Sequence, residues 1–163
     1  MQYRLYTAAD FPALYVVEEL CFEPPFRFSR PYMRQLIESP DSATWIAEED
    51  AALIGFSIVE CRAGQGDSAA YIQTLEVRPG FRGRGIGAEL LIRAENSARS
   101  AGAHIIILHV ETENAAAIRL YESRGYARQG REEHYYARHR AAFIYAKPLG
   151  EAAEAAKTRI RVK

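Results

Sequence analysis

Between Leu75 and Leu91 a β-rich run, Leu-Glu-Val-Arg-Pro-Gly-Phe, passes through the turn Arg82-Gly-Arg-Gly-Ile-Gly87 straight into an amphipathic helix. That junction governs the rest of the fold. Glycines at 83, 85 and 87 free the backbone for a sharp turn and for close approach to a ligand. The N–H groups of the helix's first turn lack partners and carry the positive end of its dipole. Together they form an anion-binding cradle, and a phosphate or pyrophosphate is its expected guest.

With 163 residues, 48% of them hydrophobic and 11% aromatic, the chain suits one compact domain, expected over residues 1–149. The stretch 150–163 is charged and alanine-rich and reads as a peripheral or frayed helical tail. Lys plus Arg equals Asp plus Glu at 21 each, so no overall charge draws the protein to nucleic acid or an anionic membrane. The basic run Arg128–Arg140 is interrupted by Glu132 and Glu133 and reads as a solvated hairpin rather than an RNA surface. Cys21 and Cys61 show no CxxC spacing, which argues against a disulfide framework or a zinc site and for a reducing compartment. The first residues form no apolar h-region, and no window approaches the roughly 18 apolar residues of a membrane span. A cytoplasmic, soluble protein is the expectation.

Periodicity then places the elements. Tyr3 and Leu5 mark a first strand, and Thr7–Asp10 caps a helix over Ala8–Glu19 carrying Phe11, Leu14 and Val17 on one face. Pro24 and Pro25 force a loop over 21–29, followed by a short helix over Pro31–Glu38. Thr44–Cys61 forms a hairpin turning at 49–52, and a polar loop over 62–67 leads to a fourth strand, Ala70–Val77. The helix after the glycine turn ends at Gly102. His104–Val110 is apolar enough for a central strand, and Asn114 caps a helix over Ala115–Ser123. Strands from Tyr126 and Ala141 complete the order β-α-α-β-β-β-α-β-α-β-β. This order predicts an α/β (α+β) domain of about seven strands.

Three readings of the glycine turn compete. A Walker loop would end Gly-Lys-Ser/Thr, whereas this one ends Gly87-Ala-Glu. A dinucleotide fingerprint has a different glycine spacing and follows the first strand rather than the fourth. The third reading is Arg/Gln-x-x-Gly-x-Gly/Ala, met by Arg82, Gly85 and Gly87, together with Asn-x-x-Ala-x-x-Leu-Tyr-x-x-x-Gly-Phe/Tyr, met by Asn114, Ala117, Leu120, Tyr121, Gly125 and Tyr126. These blocks cover about a third of the chain and resemble the GCN5-related N-acetyltransferase superfamily.

The resemblance implies a twisted, mixed and mostly antiparallel sheet of about seven strands with helices on both faces, and acetyl-CoA as cosubstrate. It places the pyrophosphate on Arg82, Gly83, Arg84, Gly85, Ile86 and Gly87, the pantetheine along Leu75, Glu76 and Val77, and contacts from Asn114. It makes Tyr121 the general acid at the thiol. RimI-type N-terminal acetyltransferases carry a glutamate at the position of His109, a pattern this chain leaves. NatE-type enzymes carry His-Val there with a tyrosine matching Tyr71, in a run similar to Tyr71-Ile-Gln-Thr-Leu75. A His109 and Tyr71 pair acting through a water is the preferred proton acceptor, with Glu76, Glu111 or no dedicated base as alternatives. A modest base suffices for an α-amine near 7.7 to 8.0, which deprotonates more readily than lysine near 10.4.

On the acceptor side, Tyr135 and Tyr136 match a Tyr-Tyr pair of both named types, and Phe22, Glu23 and Pro24 lie in the place of their substrate loop. The expected activity is acetylation of a protein or peptide N-terminal α-amine by direct attack in a ternary complex, without a metal. Acetylation of a small amine such as a polyamine, amino acid or drug is the alternative. A non-catalytic acyl-CoA-binding domain is the alternative from another class. His134 and His139 read as surface residues, and nothing places a base beside Cys21 or Cys61 for a ping-pong route.

Overall fold

The computed structural model describes residues 1–62 and 68–150; the polar loop and the tail expected from the sequence therefore lie largely outside the described residues. Among these, the strands are β1 (Gln2–Leu5), β2 (Ser42–Glu49), β3 (Ala52–Arg62), β4 (Ala69–Val77), β5 (Ile105–Glu111), β6 (Ala127–Ala137) and β7 (Arg140–Pro148). The helices are α1 (Phe11–Cys21), entered through a 3₁₀ turn at Ala8–Asp10, α2 (Arg30–Glu38), α3 (Ile86–Ser100) and α4 (Ala115–Ser123). The strands form one sheet in the order β1-β2-β3-β4-β5-β7-β6, antiparallel except between β4 and β5. No described helix is long and apolar enough to cross a membrane.

Local signals account for the helix ends. Asp10 accepts from the Thr7 N–H at 2.8 Å and takes both arms of Arg4 at 2.8 Å, which pins the entry to α1. Ser29 accepts from the Tyr32 N–H ahead of α2, and Asn114 Oδ1 accepts from the Ala117 N–H at the start of α4. Gly85 caps α3 in the left-handed region at φ 80.

Apolar burial divides the sheet into two faces. Phe11, Leu14 and Val17 of α1 and Met33 and Ile37 of α2 pack on Ile46, Phe56 and Ile58. On the other side Leu91, Ala94 and Ala98 of α3 and Tyr121 of α4 pack on Val59, Ile72, Ile106 and Leu108. A register shift in β3–β4 pairs Ile58 with Thr74 but Val59 with Ile72, leaving Gln73 as an extra residue. A one-residue bulge reverses the facing of everything beyond it. Thus Ala70 and Ile72 join the α3 face, while Thr74 and Glu76 point toward α1.

The central parallel pair is short. Ala69–Tyr71 lie opposite Ile105–Ile107, and beyond that point β4 and β5 are not paired among the described residues. The strands part there, next to the bulge, and a fissure opens through the sheet.

Candidate active site

The fissure connects two cavities. One, about 630 Å³, lies between the end of β4, the turn before α3, and α4; its wall includes Leu75, Val77, Arg82, Gly83, Gly85 and Leu120. The other, about 290 Å³, lies on the α1 side among Phe22, Phe26, Phe28, Ile72, His109 and Tyr136. Cys21, Leu75, Asn114 and Tyr121 belong to both walls.

The larger cavity is built for an anion at one end. Gly83 and Gly85 sit at φ 77 and 80, and a side chain added to either would meet nothing within 4 Å, so their requirement is conformational. The N–H groups of Ile86, Gly87 and Ala88 precede the first bond of the α3 ladder, which Glu89 makes to the Gly85 carbonyl at 3.1 Å. They face the turn with the helix dipole behind them. Along the β4 edge the backbone lacks its neighbour strand and can pair with an extended ligand. Open cradle, free strand edge and elongated cavity fit a pantetheine diphosphate such as that of CoA.

One residue departs from expectation at this end. Arg84 turns its side chain away from the cavity to Glu49, with bonds of 2.7 and 3.0 Å, between the left-handed Gly83 and Gly85. Gly87 borders the cavity with an ordinary backbone; a Cβ there would touch Leu120, Leu75 and Val77, so its lack of a side chain serves packing while its N–H belongs to the cradle. Arg82 does border the cavity, with its Nε donating to the Val77 carbonyl at 3.0 Å.

Tyr121 and Asn114 share one face of α4, as their spacing of two turns requires. Burial pushes the Tyr121 hydroxyl up to about 12, so it remains a proton donor throughout the physiological range. The Asn114 side-chain oxygen is engaged in capping, leaving its amide nitrogen as the group available to a ligand.

Tyr71 and His109 meet from different strands, and register explains how. Tyr71 is the last β4 residue paired with β5, opposite Ile107, and His109 is the next residue of β5 on that same face. Their contact, Tyr71 Oη to His109 Nδ1, is 2.5 Å. Burial, then the Tyr135 hydroxyl at 3.3 Å, raise the Tyr71 phenol far above its ordinary value, so it keeps its proton. The other imidazole nitrogen lies 2.7 Å from Glu132.

Tyr135 and Tyr136 belong to an irregular stretch of β6. Register is lost between Glu132 and Ala137, and His134 sits at φ 56. Successive residues of a regular strand face opposite ways, yet these rings meet edge to face at 4.8 Å. Tyr135 consequently stacks on His109 at 4.1 Å and 3°, and Tyr136 packs on Phe26 at 5.0 Å. Tyr136, Phe22 and Glu23 line the smaller cavity, whereas Tyr135 reaches the site through His109. Pro24 lies on the exposed outer side of the loop and contributes to neither wall. Phe26 and Phe28 take the role expected of it; the clustering of aromatics at 22, 26 and 28 was the available signal.

The other base candidates are occupied. Glu76 is buried toward Glu18 on the α1 side and accepts from the Thr74 hydroxyl at 2.7 Å. Burial and the facing Glu18 carboxyl hold it well above the usual carboxylate range, and only its backbone can serve a cofactor. Glu111 is bound to Arg140 at 2.8 Å. His134 and His139 lie in the exposed β6–β7 turn, and no cluster of potential metal ligands occurs among the described residues.

Comparison with known proteins agrees with this geometry. Residues 12–126 match the Acetyltransferase (GNAT) family. The N-alpha-acetyltransferase RimI of Mycobacterium tuberculosis is 33% identical over 114 residues, covering 69% of this chain and 66% of that one. The L-methionine sulfoximine/L-methionine sulfone acetyltransferase of Salmonella typhimurium is 33% identical over 94 residues, 57% of this chain and 53% of that one. This chain thus spans about half to two thirds of these curated relatives. The crystal structure of the ribosomal-protein-S18-alanine N-acetyltransferase from Escherichia coli superimposes with a TM-score of 0.79, covering 91% of this chain and 94% of that one at 24% identity, a likeness of fold. The chain belongs to the GNAT acetyltransferase family.

Proposed function

We propose that the protein is an acetyl-CoA-dependent N-acetyltransferase acting on the N-terminal α-amine of a protein or peptide. The observation that carries this reading is the Tyr71–His109 pair at the mouth of the fissure, on the opposite side of the sheet from the helix that supplies Tyr121. Acetyl-CoA, lying in the larger cavity, supplies an activated acetyl thioester. The β4 edge and the α3 N-terminus orient it, and Tyr121 delivers a proton to the sulfur that departs. From the α1 side, Tyr71 and His109 take the proton that the attacking amine loses. Phe22, Phe26, Phe28 and Tyr136 exclude water around the acceptor, and Glu23 at the cavity rim attracts an ammonium group.

The relative that acetylates methionine sulfoximine or sulfone favours a second reading, a small amine in the same cavity. A mass assay with acetyl-CoA separates the two, using short peptides with free α-amines, α-blocked peptides with an internal lysine, and small amines. The proposal expects transfer to free peptide α-amines; acetylation confined to lysine side chains or small amines would sink it.

A further inference from the structure

Glu132 reads as a solvated hairpin acid in the sequence, and its side chain is 51% exposed, yet it ends on Nε2 of His109, the ring nitrogen that Tyr71 does not touch. A neutral imidazole carries one donor and one acceptor nitrogen, and a carboxylate can only accept. The 2.7 Å contact between Glu132 and Nε2 therefore puts the ring hydrogen on Nε2. With Nδ1 thereby left as the acceptor, Tyr71, which keeps its phenolic proton, donates it to Nδ1 across 2.5 Å and can accept from the Tyr135 hydroxyl at 3.3 Å. The Glu132 contact selects the tautomer and the Tyr71 contact is compatible with it. The stacked Tyr135 ring at 3° then opposes rotation of the imidazole out of that plane.

We propose that Glu132 is the positioning residue that holds His109 in its Nε2–H tautomer and stabilises the imidazolium formed during transfer. The proton balance is complete and rests on the acceptor reading above. The amine's proton passes to Tyr71 Oη as the Tyr71 proton passes to His109 Nδ1, leaving imidazolium against carboxylate. The groups facing the ring are Tyr71 of β4 and Glu132 and Tyr135 of β6. The neighbouring Glu133 is not equivalent, since it pairs with Arg131. The irregular register of β6 is what brings Glu132 and Tyr135 onto one ring, edge-on and face-on respectively.

The Glu132 carboxylate is half exposed and is rehydrated when the contact is lost, so its removal leaves the protein intact for assay. Nitrogen-15 NMR of the free protein, with the His109 ring assigned through His109→Gln, reads the tautomer directly. The expected result is Nε2–H in the wild type and a mixed population in Glu132→Ala. In steady-state assays Glu132→Ala should lower kcat by about 10- to 100-fold, the usual effect of removing a group that orients a functional histidine. KM for acetyl-CoA should be unchanged, Glu132→Asp should recover part of the rate, and Glu133→Gln should match the wild type. An Nδ1–H tautomer in the wild type, or full kcat in Glu132→Ala, overturns the assignment. Because the tautomer is read without substrate, a correct tautomer in a protein that acetylates no peptide α-amine would defeat the acceptor reading alone.

Discussion

At the scale of single residues, Tyr121 and Cys21 border the same two cavities, and burial raises both, with different consequences. For the phenol, a value of about 12 preserves the acid form needed to protonate a thiolate. Tyr121→Phe should thus lower kcat by roughly 10²- to 10⁴-fold while KM for acetyl-CoA moves little, the pattern of a positioned acid. For the Cys21 thiol, burial and the charge of Glu76 raise it to about 11, against a weaker opposing pull from Arg82. Raising a thiol's pKa suppresses the nucleophilic thiolate until the pH nears that value. Iodoacetamide should therefore modify Cys21 slowly at pH 7.5, and Cys21→Ala should retain most activity. Rapid stoichiometric labelling with loss of turnover would instead indicate a covalent acetyl-cysteine route.

At the scale of elements, two glycines set the cosubstrate-facing end of the sheet for unlike reasons. Gly85→Ala meets no steric obstacle, but left-handed backbone costs an L-residue about 1–2 kcal/mol, and urea melts should show a loss of that order with a raised KM for acetyl-CoA. At Gly55 the backbone is ordinary, yet a Cβ would lie 2.7 Å from the Glu76 carbonyl oxygen. Gly55→Ala must displace β4, at a cost of about 1–3 kcal/mol typical of overpacking. Gly85 is visible in the sequence because its turn has a local signature; Gly55 is not, because its constraint comes from Glu76 on the neighbouring strand. The same division runs through the whole site. Helix faces such as Leu90, Leu91, Ala94 and Ala98 follow from periodicity, and the observed strands agree with the expected order. The bulge at Gln73 and the register break before Ala137 leave no local mark, so the reversal that turns Glu76 toward α1 and the partnership of Glu132 with His109 emerge only in three dimensions. Tyr71 and His109 were paired in advance through family resemblance, since nothing in the spacing of two residues 38 apart fixes a contact.

For the whole molecule, the Glu18 and Glu76 pair makes stability depend on pH in an unusual direction. Each has a buried side-chain oxygen without a partner, and Glu76 is raised well above its ordinary value by burial and by Glu18. The folded protein then binds more protons than the unfolded chain, so this contribution is complete below about 4.5 and is lost as pH rises through the folded value. Asp10 acts oppositely: Arg4 lowers it to about 2, and its contribution is present above the ordinary aspartate range and lost as pH falls toward that value. Thermal melts should show Tm declining above pH 5 more steeply in wild type than in Glu76→Gln, which keeps a partner for Thr74 but cannot ionise. Equal slopes would mean that Glu76 is already ionised in the fold.

The parting of β4 from β5 also bears on mechanics. Among the described residues the backbone bonds between β4 and β5 are confined to the short run from Ser68 to Tyr71, so a molecule lying along the open edge works as a removable clasp between the two halves of the sheet. The Arg78 N–H donates to the Ile54 carbonyl on the β3 side, so by alternation the Leu75 and Val77 amides face the open edge; they should exchange quickly in the free protein and slow when CoA is added, and ligand at about 100 times its Kd should add about 2.7 kcal/mol of stability. Under the proposed acetyl transfer, product release unfastens the seam at each turnover, leaving the protein stiffest while it is loaded and most pliant when it must exchange its reactants.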